Sequence, residues 1–268
     1  MMNPLSIGYS PCPNDTFIFY ALTHGRIDTG DLRFKEILED VEGLNKLALG
    51  GKLDITKVSY HAFLFLRDRY CLLRSGGALG RGCGPLIVAT DSYEMKDLIG
   101  KKIAIPGRLT TAFLLLKLYN PSFKENIAVM PFHKIMGAVK NGDVDAGLII
   151  HEGRFTYPLY GLKKVIDLGK WWENETGLPI PLGCVLAKLS LGDNKIREIG
   201  GLIRKSVEYA LSHREEPMGY IKEQSQELSD DVIGQHIDLY VNNYSIDIGE
   251  DGQRAIDELI KRAADAGL

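Results

Sequence analysis

Short apolar or β-branched runs alternate with amphipathic ones through the first two thirds of the chain, and that alternation limits the fold more than any other feature. LSIGY is followed by TFIFYALTHG, FKEIL by VEGLNKLALGG, and LDITKVS by HAFLFLRDR. Strand-length runs that each hand over to a helix-length run predict an α/β fold, with helices packed on a mostly parallel sheet. The pattern breaks after Tyr70, where YCLLR enters SGGALGRGCGP and leaves directly into PLIVAT with no helix between. Glycines this dense between two strands predict a crossing between lobes, where backbone freedom is useful.

A second α/β series begins near Ile87: KKIAIPG, the helix TTAFLLLKLYN, IAVMP, the helix HKIMGAVKNG, VDAGLII and LKKVIDLG. WWENETGLPIPLG reads as turn, and CVLAKL reads as a strand that returns the chain to the first lobe. After Asp193 apolar residues recur at spacings of three and four to the end, which predicts helices that clothe the first lobe. The expected organisation is a discontinuous larger lobe over 1–86 and 186–268, and a smaller lobe over 87–185.

The two series echo one another. LALGGKLDITKVSYHA and GAVKNGDVDAGLIIHEG each run from helix through a glycine turn and G-x-[LV]-D into a buried strand, ending on Ser59-Tyr60-His61 and on His151-Glu152. Parallel strands of open α/β sheets present ligand groups at their carboxyl ends, so lobes built this way face each other across a cleft. That architecture resembles the two-lobed periplasmic-binding-protein-like (type II) fold with a central cleft.

Several classes of partner fit poorly. The formal charge is −3, from 32 basic and 35 acidic residues, which leaves no field for drawing in nucleic acid or an anionic membrane. A small molecule is the expected partner. The four cysteines, Cys12, Cys71, Cys83 and Cys184, form no C-x-x-C pair, which argues against a zinc site or a disulfide framework and suits a reducing cytoplasm. MMNPLSIGYS has no basic region followed by an apolar one, so export is not expected. No apolar stretch approaches the ~20 residues of a membrane span.

His151 ends the run VDAGLII, at a strand tip near the cleft. An imidazole titrating at ~6.5 makes it the best general base in the chain, although a hydrogen-bonded structural histidine fits the same residue. Glu152 is expected to be structural, because neighbours on a continuing strand point to opposite faces. Thr110, Thr111 and Ala112, after Gly107-Arg108-Leu109, open a helix whose free N–H groups suit a carboxylate or phosphate. N-capping by either threonine explains them equally well. Lys57, Val58 and Ser59 are the matching strand end in the first lobe, with Ser59 able to hydrogen-bond a ligand and Lys57 either paired or solvated.

Other features carry less. Gly80, Gly82 and Gly84 do not make G-x-G-x-x-G and lead into a strand, so a dinucleotide site is not expected. His24, His133, His213 and His236 lie in or beside helices, where surface or capping roles are the default. Trp171 and Trp172 are expected to pack near the cleft rim. In SPCPNDTF, Pro11 and Pro13 fix φ, while Asn14, Asp15 and Thr16 can satisfy the open N–H groups of the following helix, giving a rigid turn that forms one cleft wall. Cys12, held between prolines with no histidine as sequence neighbour, is a poor candidate nucleophile.

SIGYSPCPNDTFIFYALTHGRID, ILEDVEGLN, TKVSYHA, RSGGALGRGCGPLIVA, PGRLTTAFLL, AGLIIHEGRFTY and TGLPIPLG closely resemble the 1,4-dihydroxy-6-naphthoate synthase family of the futalosine route to menaquinone. The match runs in order over nearly the whole chain. The resemblance implies a cytoplasmic lyase acting on cyclic dehypoxanthinyl futalosine, a carboxylate-bearing small molecule, with no metal or organic cofactor. Its products would be 1,4-dihydroxy-6-naphthoate and dihydroxyacetone. The family's proton acceptor falls on His151, and its substrate-binding stretches fall on Lys57-Val58-Ser59 and Thr111-Ala112, with Thr110 adjoining. A non-catalytic solute-binding protein and the sibling chorismate dehydratase are the rival expectations; a missing export signal disfavours the first, and SPCPNDTF with IIHEGRFTY the second.

Overall fold

The first alternating series folds as β1 (Leu5–Tyr9), α1 (Pro13–Thr23), β2 (Phe34–Leu38), α2 (Val41–Leu49), β3 (Ile55–Ser59) and a one-turn α3 (Tyr60–Phe63). The glycine-rich stretch carries β4 (Tyr70–Leu72) and β5 (Ala78–Gly80) before β6 (Leu86–Ala89). The second series is β7 (Ile103–Ile105), α4 (Thr111–Tyr119), β8 (Ile127–Val129), α5 (Phe132–Lys140), β9 (Ala146–Ile149), α6 (Gly153–Thr156), β10 (Lys163–Asp167) and α7 (Leu168–Thr176). The chain then runs through β11 (Ile180–Lys188) into α8 (Asp193–Ser212), α9 (Met218–Gln224), α10 (Asp230–Tyr240), α11 (Asn243–Ile246) and α12 (Gly249–Asp265). This is a computed structural model that describes residues 3–225 and 229–268; Met1, Met2 and residues 226–228, which the expected larger-lobe segments include, lie outside the described residues.

Two sheets result. The first has the order β2-β1-β3-β11-β4, with β5 also paired to β11, and the second has the order β10-β6-β9-β7-β8. Strands β1, β2 and β3 are parallel, as are β7, β8 and β9. The expectation of mostly parallel sheets therefore holds for only part of each. β11 runs antiparallel to β3, β4 and β5, and β6 runs antiparallel to β9 and β10. β6 and β11, the strands shared by these antiparallel pairs, are the two that the chain reaches by crossing from the other sheet.

The echoed aspartates now have a physical reason. Asp54 accepts from Ser6 N at 2.9 Å and Ser6 Oγ at 2.8 Å, and Asp145 accepts from Lys102 N at 2.8 Å. Each aspartate thus ties the start of one parallel strand to the start of its neighbour. Burial would raise the Asp54 carboxyl, but the Ser6 hydrogen bonds hold it below its ordinary range.

α1 is buried from Pro13 to Leu22, as expected of a helix that is apolar on every side. It packs against α8, α9 and α10. Ser206 Oγ donates to Ile18 O at 2.6 Å and accepts from Leu22 N at 3.1 Å, which satisfies this buried hydroxyl between α1 and α8. The C-terminal helices do clothe the first sheet, as predicted.

Three local expectations require correction. HAFLFLRDR gives one helical turn and then turns, since Leu66 and Tyr70 are drawn into the core as the chain bends into β4. SGGALGRGCGP is more than a crossing, because Ala78–Gly80 pairs with β11, Gly80 opposite Ile180. WWENET is helical, because Asp167 Oδ1 caps it, accepting from Gly169 N and Lys170 N at 3.0 Å, and Gly177 at φ 69° ends it. Trp172 is fully buried in that helix, its Nε1 donating to Pro179 O at 3.0 Å, so it belongs to the core and not to a rim.

The chain passes between sheets twice, after β5 and after β10, and the two passages touch at Gly84 and Gly169. A Cβ on Gly169 would stand 2.6 Å from Gly84 Cα. Both sides of this contact are backbone, so no side chain can swing away. Gly84→Ala is therefore expected to destabilise the protein by about 1–3 kcal/mol, measured by urea denaturation; an unchanged midpoint would remove the close crossing.

Candidate functional site

The parallel strands β1, β3, β7 and β9 deliver the residues that follow them to one cavity of about 690 Å³, mouth included. A cavity of this size suits a small organic molecule. All the site residues expected from sequence line it: Lys57, Val58 and Ser59 from β3, Thr110, Thr111 and Ala112 at the start of α4, and His151 after β9. Ser10, Asn14 and Asp15 add the wall contributed by the opening motif.

That motif does a different job from the one expected. The N-cap of α1 is Cys12, which makes no side-chain cap, and Pro13 starts the helix. Asp15 turns away from the helix amides. It accepts from Ser10 Oγ at 2.7 Å, Ser10 N at 3.2 Å, Asn14 Nδ2 at 2.7 Å and Lys57 Nζ. The cluster therefore builds a buried ion pair that joins the β1–α1 turn to β3, and Lys57 is paired. Asp15 and Lys57 are 4% and 5% exposed, so each charge has its partner inside the protein.

β9 ends at Ile149, and the backbone at His151 enters the left-handed region at φ 55°. Only a few residue types tolerate that conformation, and it is often found where a side chain must be aimed. The ring packs 5.0 Å from that of Phe132. Burial holds its imidazole down at about 4, opposed by the charge of Asp15 and helped by that of Lys57. Near neutral pH the ring is thus uncharged and able to accept a proton.

The turn at His151 removes the reason given for reading Glu152 as structural, since the strand has ended and alternation no longer applies. Glu152 is buried outside the cavity lining, with Oε2 4.0 Å from His236 Nδ1. His236 was expected at a surface or cap and is instead fully buried. Its ring lies 6.1 Å from that of His151 and within 9° of parallel. The available signal was its register with Ile233, Ile237 and Tyr240, which places it on the apolar face of α10.

The loop before α4 is held by side chains of α2. Glu42 accepts from Arg108 N at 3.2 Å and Leu109 N at 3.3 Å, and Asn45 Nδ2 donates to Leu109 O at 3.3 Å. A Cβ on Gly107 would stand 2.7 Å from Glu42 Cγ, so glycine is needed for this approach. Asn45 also receives Ser59 N at 2.9 Å and donates to Ser59 Oγ at 3.3 Å. Part of the expected anion site is therefore filled by the protein's own carboxylate. Thr110 is the N-cap, accepting from Phe113 N at 3.3 Å and donating to Gly107 O at 2.8 Å, and Thr111 Oγ1 donates to Leu182 O at 2.6 Å. Thr111 and Ala112 occupy the first turn, where amides lack intrahelical acceptors.

Burial pushes the Cys12 thiol up, with the charges of Glu152 and Asp15 adding to it. That keeps it protonated and inert. Arg154 donates to Gly84 O at 2.7 Å and Asp167 Oδ2 at 2.6 Å, and Arg81 donates to Gly177 O at 2.9 Å; neither lines the cavity. Among the described residues, no three His, Cys, Asp or Glu side chains gather as metal ligands, and no helix is long and apolar enough to cross a membrane.

Residues 5–265 match the family profile described as menaquinone biosynthesis. A Thermus thermophilus protein named 1,4-dihydroxy-6-naphthoate synthase is 52% identical over 267 residues, covering 100% of this chain and 96% of the relative. A crystal structure of an Archaeoglobus fulgidus protein superposes with a TM-score of 0.93 at 37% identity, covering 98% of both chains. A Candida albicans protein, described as having the generic periplasmic binding protein structural fold, superposes with a TM-score of 0.71 at 14% identity, covering 98% of this chain and 90% of the other. The fold is of that two-lobed type.

Two outcomes follow from this geometry. Glu42→Ala removes the acceptor of two loop amides and should raise KM or ligand Kd by about 5–50-fold, at ~1 kcal/mol or more per charge-assisted bond, read by calorimetry and steady-state kinetics. Unchanged binding would show that the clasp is incidental. Stability should also fall as pH drops. Unfolded imidazoles take up protons near 6.5, whereas His61 and His151 are held at about 4 by burial, so the unfolded state binds more protons throughout that window. Each contributes a loss of up to about 2 kcal/mol between pH 6.5 and pH 5; a flat urea-denaturation profile over that range would contradict their burial as neutral rings.

Proposed function

The chain belongs to the menaquinone biosynthesis family, and from that premise we propose that it is a cofactor-independent, cytoplasmic lyase converting cyclic dehypoxanthinyl futalosine into 1,4-dihydroxy-6-naphthoate and dihydroxyacetone. The observation that carries this reading is that His151, a neutral base, lines the same cavity as Ser59, Thr110 and Thr111.

The substrate carboxylate docks on the hydroxyl of Ser59 and the first-turn amides of Thr111 and Ala112. The threonine hydroxyls already donate to carbonyls of the protein, so Ser59 is the hydroxyl with a proton to give. The positive end of α4 adds favourable potential for an anion. His151 then removes a proton from the sugar-derived ring. The electron pair released forms a ring double bond that completes an aromatic naphthalenoid system, the pair of the broken carbon–carbon bond leaves with the three-carbon fragment as an enolate, and the proton on His151 is returned to that fragment; the gain of aromaticity supplies the driving force. The protein therefore needs mainly a positioned base and a fixed substrate. Asp15 lies close enough for its charge to favour the imidazolium that forms on His151.

A solute-binding protein shares the fold, and chorismate dehydratase is the sibling enzyme. Incubating the protein with each substrate and following the naphthoate chromophore separates these readings from the one proposed. His151→Ala should lower kcat by ~10² to 10⁴ while the protein stays folded and binds substrate. Near-normal turnover would remove His151 as the base. In the wild type, the acid limb of kcat/KM should titrate closer to pH 4 than to 6.5.

A further inference from the structure

His236 lies one layer behind the cavity wall, and nothing in the reaction described above uses it. It is fully buried on α10, in contact with Tyr240 and Phe155, with ring centroids at 4.6 Å and 6.5 Å. Its Nε2 is 2.9 Å from Asn14 Oδ1. The Asn14 amide is oriented by its other end, since Nδ2 donates to Asp15 Oδ1 at 2.7 Å. The atom facing His236 is therefore the carbonyl oxygen, which only accepts, so His236 must carry its hydrogen on Nε2. A continuous chain results: His236 donates to Asn14, Asn14 donates to Asp15, and Asp15 is paired with Lys57.

The far end of this chain matters to His151. The groups whose charges reach the His151 ring are Asp15 from α1, Lys57 from β3 and Asp40 at the start of α2, and its flat neighbour is His236. The groups facing His236 are His151, Lys57, Tyr240 and Glu152. Two parallel imidazoles in one dry pocket cannot both be charged at low cost. A neutral His236 therefore leaves His151 as the ring that takes the proton.

We propose that His236 is a positioning residue that, through Asn14, fixes the Asp15 carboxylate where its charge stabilises the imidazolium formed on His151. This rests on the reading of His151 as the base. It predicts a dependence on one donor atom, which a merely space-filling histidine would not show.

The test uses the full-length protein and three variants. His236→Phe keeps the ring volume and removes the donor, His236→Gln restores a donor near the Nε2 position, and His151→Ala tests the underlying reading. His236→Phe should lower kcat about 10-fold to 100-fold with KM within about threefold, and should move the NMR titration midpoint of the His151 ring downward. His236→Gln should recover both to within about threefold of wild type. An unmoved His151 midpoint in His236→Phe, or a His236→Gln as impaired as His236→Phe, overturns the proposal. If His236→Phe does not fold, Asn14→Ala breaks the same chain and must lower the same midpoint, and an unmoved one there overturns it equally. Wild-type turnover in His151→Ala would instead overturn the assignment of the base, while the midpoint shift would still report whether His236 acts through Asn14.

Discussion

A carboxylate placed inside a protein costs several kcal/mol unless its oxygens are hydrogen-bonded and its charge is paired. Asp15 meets both conditions, and the site is arranged around the way it does so. Ser10 and Asn14 come from the turn that follows β1, and Lys57 comes from the middle of β3. One side chain therefore binds the end of one strand to its neighbour and fixes a cavity wall. The prolines flanking Cys12 serve this arrangement by presetting the turn, so that α1 begins without a side-chain cap. Removing either charge would leave the other buried alone, which is much worse than never having had the pair.

That ion pair and the dryness around it also set the chemistry. Burial disfavours a charged imidazole at His151; the charge of Asp15 opposes that effect and the charge of Lys57 adds to it. A base held neutral in this way is available at any pH near neutrality, and the cost of charging it is met only when a proton donor of sufficient acidity is bound beside it. The left-handed backbone at His151 belongs to the same arrangement. It stops β9, directs the ring into the cavity wall, and lets Glu152 turn inward beneath it.

Much of this was legible in the residues alone. The alternation of apolar and amphipathic runs located the strands, and the twice-used G-x-[LV]-D step marked the strand ends that meet at the cavity. Lys57, Ser59 and His151 follow from that step, and Thr110 and Thr111 from the helix start after KKIAIP, because where a parallel strand stops is a local property. Glu42, Asn45 and His236 were not legible, since each acts on a partner far along the chain: Glu42 on Arg108, Asn45 on Leu109 and His236 on Asn14. Their local patterns are those of ordinary amphipathic helices. WWENET was misread because two tryptophans beside glycine and proline look like a turn, whereas Asp167 and Gly177 mark the start and stop of a helix.

The grip of Glu42 on the loop at Arg108 and Leu109 has an energetic corollary. Hydrogen bonds to a charged acceptor contribute about 1.5–3 kcal/mol each in net terms, so parting the two amides from Glu42 forfeits a few kcal/mol and not the full strength of an amide–carboxylate pair. The clasp is therefore one modest contribution to holding the loop before α4 against α2. A visitor that touches both walls can reinforce this hold only by the contacts it makes to each of them.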